Sequence, residues 1–406
     1  MFSKDDLVIQ GTGSLTISAN YESGIVSKDD LEISGSVITV TVVKHALKGK
    51  DSIIIIDGTF VLTAGLQSDN DEDTDKGYIT ISGGQFDIIS GADGMQAETT
   101  LTINNGTFAI TSGGGSGYTT EDSAKGLKSG INIVIDGGTF DIDSADDSIH
   151  SDDSITINNG QFSLATADDA IHSETSIDIN DGDIDILTSF EGIESIVIII
   201  NDGEIHIVSS DDGINIAGGN DEPIDIGDYH LDINGGYIVV DEDGDGLDGN
   251  GSINISGSVV LINGPTNNGN GAVDYDDTFA MTGGVLVAVG SSSMAQAMTS
   301  AASIQYSVLN NYSSSQSAGT MIHVADQNGT DILTFVPTKM YQSVLLSSPE
   351  LALGDTYTIY AGGSSTGTET DGLYTGGVYT PGTQATTFTI NSLVTLIGGG
   401  GGPPHP

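Results

Sequence analysis

The feature that most constrains this chain is a repeat with a period of about 22 residues. Ile25 and Leu47, and then Ile149, Ile171 and Ile193, open equivalent units at that step, each reading roughly D-G-I-x-S-x-D-S-I-x-I-x-G-G-x-F-x-I-x-S. Other units open at Leu66, Met95, Leu127, Ile214 and Leu247, where longer steps point to inserted loops such as "GGGSGYTTEDSAKG" (113–126) and "AGGNDEPIDIGDYH" (217–230). Inside a unit the apolar residues alternate with period two, as in Ile155, Ile157, Phe162 and Leu164, and the alternation breaks at Asn-Gly or Gly-Gly turns. No helical pattern competes with it. Short strands at a fixed period stack their repeats into a coil, so the spacing predicts an all-β chain built on a right-handed parallel β-helix. At about 4.8 Å per turn, roughly a dozen turns would make a rod on the order of 55 Å long. Phe60, Phe86, Phe108, Phe140 and Phe162 each stand in a G-x-F string and are expected to stack inside it.

Composition narrows what such a coil can meet. The 406 residues carry a formal net charge of -48, nine lysines and no arginine. Nucleic acid and anionic membrane surfaces are excluded as partners by that field, and no apolar run is long enough to span a bilayer. There is no cysteine, which suits an exported protein stabilised without disulfides. Met1 leads straight into repeat-like sequence, so the start reads as a mature or truncated one and the expected location is extracellular or cell-surface.

The acids fall in register. Asp146 and Asp147 recur one period later as Asp168 and Asp169, and one corner column is expected to hold Asp147, Asp169, Glu191 and Asp212. A neighbouring column carries Asp153, then Thr175 and Ile196, with Glu174 and Glu194 close by, and Asp152 doubles the Asp153 corner. Like charges about 4.8 Å apart repel by roughly 3 to 4 kcal/mol per pair at an effective dielectric near 20. Ca²⁺, which takes 6 to 8 oxygens, would relieve this at neutral pH. The calcium candidates are therefore the doubled corners, with Asp29, Asp30, Asp51, Asp93, Glu98 and Asp211 at equivalent places, and two acidic loops. One loop is "DNDEDTDKG", with Asp69, Asp71 and Asp73; the other is "DEDGDGLDGNG", with Asp241, Asp243, Asp245 and Asp248. The latter follows the D-x-D-x-D-G opening of an EF-hand, but its twelfth position is Ser252 instead of Glu. His150 and His172 should lie one above the other. They read as a surface ladder of neutral imidazoles, because no cysteine or third histidine completes a transition-metal set.

The composition changes near residue 290. Of the 57 acids, six lie beyond it (Asp326, Asp331, Glu350, Asp355, Glu369 and Asp371), and the later strands lose the regular beat. Three regions are expected: a parallel β-helix over 1–290, a C-terminal antiparallel β cap or domain over 291–397, and a Gly/Pro tail over 398–406.

"SGIVSKDDLEISG", "SDNDEDTDKGYITISGG", "GADGMQAETTLTI", "GDGLDGNGSINISG", "GPTNNGNGAVDYDDTF" and "GDTYTIYAGGSSTGT" resemble strings of the secreted carbohydrate-binding domain-containing β-helix proteins of anaerobic microbes, over roughly residues 3 to 397. The resemblance implies a calcium-bearing right-handed β-helix, similar to one group of pectate lyases, that binds plant-type polysaccharide and has no established lyase activity. A lyase of that kind needs calcium on a uronate and a strong base to take the proton alpha to the carboxylate. Without arginine, the base must be a lysine among Lys48, Lys50, Lys125 and Lys128, with Lys48 and Lys50 beside the Asp51 corner as the candidates. For a binder, tryptophan is missing and the ligand-contacting candidates are Tyr21, Tyr118, Asp274 and Tyr275. These features favour an acidic polysaccharide bridged through calcium, bound without cleavage. The alternative is a structural subunit: bare coil ends expose strand edges, and "TTFTINSLVTLI" with its extended tail could add to a second copy, giving a head-to-tail homopolymer.

Overall fold

The computed structural model describes residues 1–120, 122–218 and 229–398. The tail from 399 on, with His405, and most of the 217–230 insertion lie outside them. No helix occurs among the described residues. The fold is a parallel β-helix of about twelve turns with about 22 residues per turn, with an antiparallel sheet in the C-terminal part. The chain forms two compact units, one holding Met1–Ser209 and the other built on Ser210–Ile216 and the described residues from Tyr229 on.

In the first unit a turn of the coil consists of three strands, such as Ile149–Ser151, Ser154–Ile157 and Gln161–Thr166. Each pairs in parallel with its counterpart one turn on: Ile149 with Ile171, Ile155 with Ile177 and Phe162 with Ile184. In Ser154–Ile157 only alternate residues are fully buried, so Ile155 and Ile157 fill the coil while Ser154 and Thr156 face out. In two early turns the second and third strands run together, as Asp30–Thr41 and Ser52–Leu62.

The bend between the second and third strands is set by glycine. Gly160 has φ +146°, and a Cβ there would fall 2.8 Å from the Phe162 ring. A side chain is thus excluded twice, by backbone conformation and by the ring beneath. The five phenylalanines form the expected column, with adjacent ring centroids 4.6 to 4.9 Å apart and planes within 3 to 9° of parallel. That separation is the strand spacing itself, so the backbone ladder dictates the stacking.

In the second unit Ile214–Ile216, Leu247–Gly249 and Val273–Tyr275 continue the short-strand pattern, in the register Ile214 to Leu247 to Val273. The coil's run of successive parallel strands ends at Val285–Gly290, whose other neighbour, Tyr341–Ser347, runs antiparallel to it. A six-stranded sheet including Ile322–Asp326, Thr356–Ser365 and Tyr379–Thr389 follows, with antiparallel pairing. Outward positions on the long strands, which hold Asp141, Ser163 and Asp185 in the first unit, are Val239, Leu261 and Val287 here. They are buried in an apolar cluster with Phe335, Tyr341, Val344 and Tyr357. The final strand, Val394–Ile397, which the sequence offered for addition to a second copy, pairs in parallel with Ser307–Asn310 of its own chain.

Candidate functional site

The acidic corners lie where the third strand of one turn bends into the short strand of the next. In a parallel coil each residue at a bend sits above its counterpart, and here the carboxylates use that geometry. Asp147 Oδ1 accepts the backbone N–H of Asp169 at 3.2 Å, and Asp169 Oδ1 accepts that of Glu191 at 3.2 Å. Two turns before Asp147 in the column, Asp93 Oδ1 accepts the N–H of Lys125 at 2.9 Å. Each acid thereby satisfies an amide that no strand partner reaches.

The ladder is not bare. Lys125 stands one turn before Asp147, and its Nζ lies 2.7 Å from Asp146 Oδ1 and 2.6 Å from Asp147 Oδ2. His150 Nδ1 is 2.8 Å from Asp147 Oδ2, and its Nε2 is 3.0 Å from Asp152 Oδ1. His172 Nδ1 lies 3.6 Å from both Asp147 and Asp169, while its Nε2 is 3.9 Å from Glu194 and 4.0 Å from Glu174. The expectation of a surface ladder of neutral imidazoles is corrected. Both rings are 8% exposed, they meet edge to face at 4.9 Å, and they are enclosed by carboxylates. The corner turns the short strand's middle residue into a pocket walled by the neighbouring bends.

Titration behaviour follows from this packing. Burial works to raise the Asp147 carboxyl, but the imidazoles and the Lys125 ammonium hold it well below the usual carboxylate range. Asp169 has no lysine beside it, and burial near Asp147 and Asp168 outweighs the His172 imidazole and pushes it up to about 7. Burial and the nearby Glu191 carry Glu194 to about 9. Burial opposes the charged form of His172, yet Asp147, Glu194 and Asp169 raise it to about 9. A cavity of about 370 Å³ opens over these groups, lined also by Lys125, Asp168 and Phe190.

The remaining sequence candidates separate into different surroundings. Asp153 and Glu98 are exposed. Asp29 is raised, by its surroundings and then by Asp51, Asp5 and Asp6, while Asp30 accepts the Ser52 hydroxyl at 2.7 Å. Asp51 is buried and bound by Lys76 at 2.7 Å and by Asn70 at 2.6 Å, so its cation is Lys76, which sequence reasoning did not single out. Lys48 Nζ pairs with Asp69 at 2.5 Å and Lys50 with Glu72 at 3.3 Å. In the 69–77 loop Asn70 Oδ1 caps the N–H groups of Glu72 and Asp73, and Asp73 caps Asp75. Asp71 is exposed, and the loop's carboxylates do not converge.

In the second unit Asp241 and Asp243 turn to Lys339, at 2.7 and 3.3 Å, whereas Asp245 turns the other way. The EF-hand-like string is therefore split between two faces. Asp245 gathers with Asp212 and Asp248, oxygens of the three lying within 4.8 Å of one another. The amide-accepting device recurs: Asp212 Oδ1 takes the N–H of Asp245 at 2.6 Å, and Asp245 Oδ1 that of Gly271 at 2.5 Å. A Cβ on Gly244 would fall 2.3 Å from Asp212 Oδ1, so glycine is what lets the carboxylate close on the next bend. Burial is the first cause that lifts Asp212 to about 6 and Asp245 to about 7, with Asp211 and Asp274 nearby.

This donor set is all oxygen and fits calcium chemistry. The Asp146, Asp147 and Asp168 set is also all oxygen, but the Lys125 ammonium already stands among it. Glu242, absent from the sequence candidates, is fully buried with neither carboxylate oxygen hydrogen-bonded, and burial lifts it well above the usual range. Its signal was an acid ending "YIVVDE" where "TFDIDS" ends in inward Ser144. Among the aromatic candidates, Tyr21 and Tyr118 are exposed, but Tyr275 is 7% exposed and donates its hydroxyl to Ala297 O at 2.7 Å. Asp274 accepts from Gln296 and from the Tyr275 N–H.

Residues 1–170 match a family model described as carbohydrate-binding domain-containing protein. A curated protein of the same description from Acetivibrio thermocellus is 38% identical over 117 residues, which make up 28% of this chain and 41% of that relative. Both carry the description to which the quoted strings pointed. No solved structure matches the chain.

Proposed function

We propose that this chain binds an acidic polysaccharide outside the cell, with calcium as the bridge and without cleaving it. The match of residues 1–170 to a carbohydrate-binding family carries the reading. Charge then selects the mode. A chain of net charge -48 repels a polyuronate unless a multivalent cation lies between the two carboxylate arrays. Asp212, Asp245 and Asp248 offer oxygens at ligand spacing, and Asp212 and Asp245 are lifted by burial and by the acids around them, Asp211 and Asp274 included, which a bound divalent cation would reverse. Cleavage by β-elimination would need an unengaged strong base, whereas Lys48 and Lys50 are tied to Asp69 and Glu72. The exposed Tyr21 and Tyr118 rings are among the aromatic surfaces that the first unit offers to sugar.

Co-sedimentation with polygalacturonate tests the reading. Protein should pellet with the polymer in calcium and stay in the supernatant with a chelator, and no unsaturated product should absorb in the ultraviolet. Failure to pellet under any calcium concentration overturns the binding, and product formation overturns the non-catalytic part.

A further inference from the structure

The Asp147 corner contains one group that the calcium reading leaves unexplained. His172 is 8% exposed, and its Nε2 is buried with no hydrogen-bond partner. Burying an imidazole nitrogen unpaired is costly, and the neighbours aimed at it, Glu194 Oε2 at 3.9 Å and Glu174 Oε1 at 4.0 Å, are too far for a hydrogen bond. These separations suit ligands that share an ion. Two donors bound tetrahedrally at about 2.0–2.1 Å stand about 3.3 Å apart, so the gap closes by roughly 0.6 Å.

We propose that Asp169, His172 and Glu194 form a site for a divalent transition-metal ion of the zinc class, with the His172 imidazole as its nitrogen ligand. Each of the three residues already brings a ligand atom within 4.8 Å of the other two. The other ring nitrogen, Nδ1, faces Asp147 and Asp169, each at 3.6 Å, so carboxylates flank both edges of the ring and Asp147 is placed to orient the imidazole as it closes on a metal. Lys125 compensates Asp146 and Asp147, which leaves Asp169, Glu174 and Glu194 around the cavity as the acids that a further cation would serve. The imidazole selects the metal, since calcium takes oxygen ligands while zinc, cobalt and nickel accept nitrogen. The site uses none of Asp212, Asp245 and Asp248 and does not depend on the polysaccharide reading.

The test uses the full chain, stripped of metal and held in millimolar Ca²⁺ to fill oxygen-only sites. Co²⁺ should bind with one equivalent giving the visible absorption of a four- or five-coordinate nitrogen and oxygen set, and Zn²⁺ should displace it. His172→Gln and the near-isosteric Glu194→Gln should each weaken Zn²⁺ binding at least tenfold, with melting curves reporting that both variants are folded, while His150→Gln leaves affinity within about twofold. The proposal is overturned if calcium competes as well as zinc, if the cobalt spectrum stays that of the hydrated ion, or if a folded His172→Gln or Glu194→Gln chain binds zinc as the unaltered protein does.

Discussion

At the Asp147 corner and at the Asp212 corner the backbone problem is the same, and so is its solution: a carboxylate accepts the amide of the next bend, at 3.2 Å in one and 2.6 Å in the other. Charge is handled differently. The first corner carries cations of its own, Lys125 at 2.6 Å and the imidazole of His172 at 3.6 Å from Asp147. The second draws three acids within 4.8 Å, and two of them, Asp212 and Asp245, rise to about 6 and about 7. Coil geometry thus decides where the carboxylates go, and a separate set of residues decides whether the protein or the solution supplies the opposite charge.

The sharpest break in that comparison is Lys125→Met. It would leave Asp147, 2% exposed, without its ammonium partner in a setting where removing one member of a buried pair costs about 3–5 kcal/mol. For a unit of this size that lowers the melting midpoint by on the order of 10 °C. The loss should be the same with calcium or with chelator. A loss that calcium restores would mean that the two corners are not distinct in kind.

Next in size is calcium itself. A ligand that binds only the folded state stabilises it by about 2.7 kcal/mol at a hundredfold excess over Kd. Calorimetry with calcium and with chelator should separate by that amount, and Asp245→Asn should remove most of the separation. An unchanged midpoint on chelation would break the assignment of the Asp212 corner to calcium.

The repeat made much of this legible. Because side chains alternate with period two and turns recur at a fixed step, Ile149, Ile171 and Ile193 could be placed one above another, and the Asp147 to Asp169 step with them. Lys125 was equally legible, one period before Asp147, but escaped because the column was read for acids alone. Lys339, which reaches back to Asp241 from far along the chain, carries no periodic signal. The burial of His150 and His172 was hidden for another reason. Alternation assigns a strand's middle residue outward, and only the fold of the flanking bends roofs it over.

A third, smaller effect comes from Glu242. Its carboxyl rises well above its ordinary value of 4.5, so between those two values the unfolded chain has lost a proton that the folded chain keeps. Stability therefore falls as pH rises through that window. Glu242→Gln removes the penalty: the variant should melt a few degrees higher at pH 8, at roughly 2–4 °C per kcal/mol, and the two curves should converge near pH 4. Parallel curves from pH 4 to 8 would mean that Glu242 meets a cation when folded.

The smallest effect separates charged ladders from neutral ones. On the coil's outer surface Asn180 donates to Asn158 Oδ1 at 2.8 Å and accepts from Asn201 at 2.9 Å, while Asn158 donates to Asp136 at 2.7 Å. This ladder joins turns as the acidic column does, but an amide both donates and accepts, so stacking brings no repulsion and calls for no cation. Exposed bonds of this kind contribute about 0.5–1.5 kcal/mol each at most, because water competes for both partners. Asn180→Ala should then lower the melting midpoint by a few degrees, equally in calcium, in chelator and from pH 5 to 8. Asn180→Asp is the more telling variant. It keeps an oxygen that accepts from Asn201, removes the donor to Asn158, and sets a negative charge between two neutral amides with no lysine in register. Its loss should shrink as pH falls toward 4 and the carboxyl regains a proton. If Asn180→Asp were no less stable than Asn180→Ala at pH 8, a carboxylate between neutral amides would carry no penalty, and the need for cations at the acidic corners would rest on the stacking of charge on charge alone.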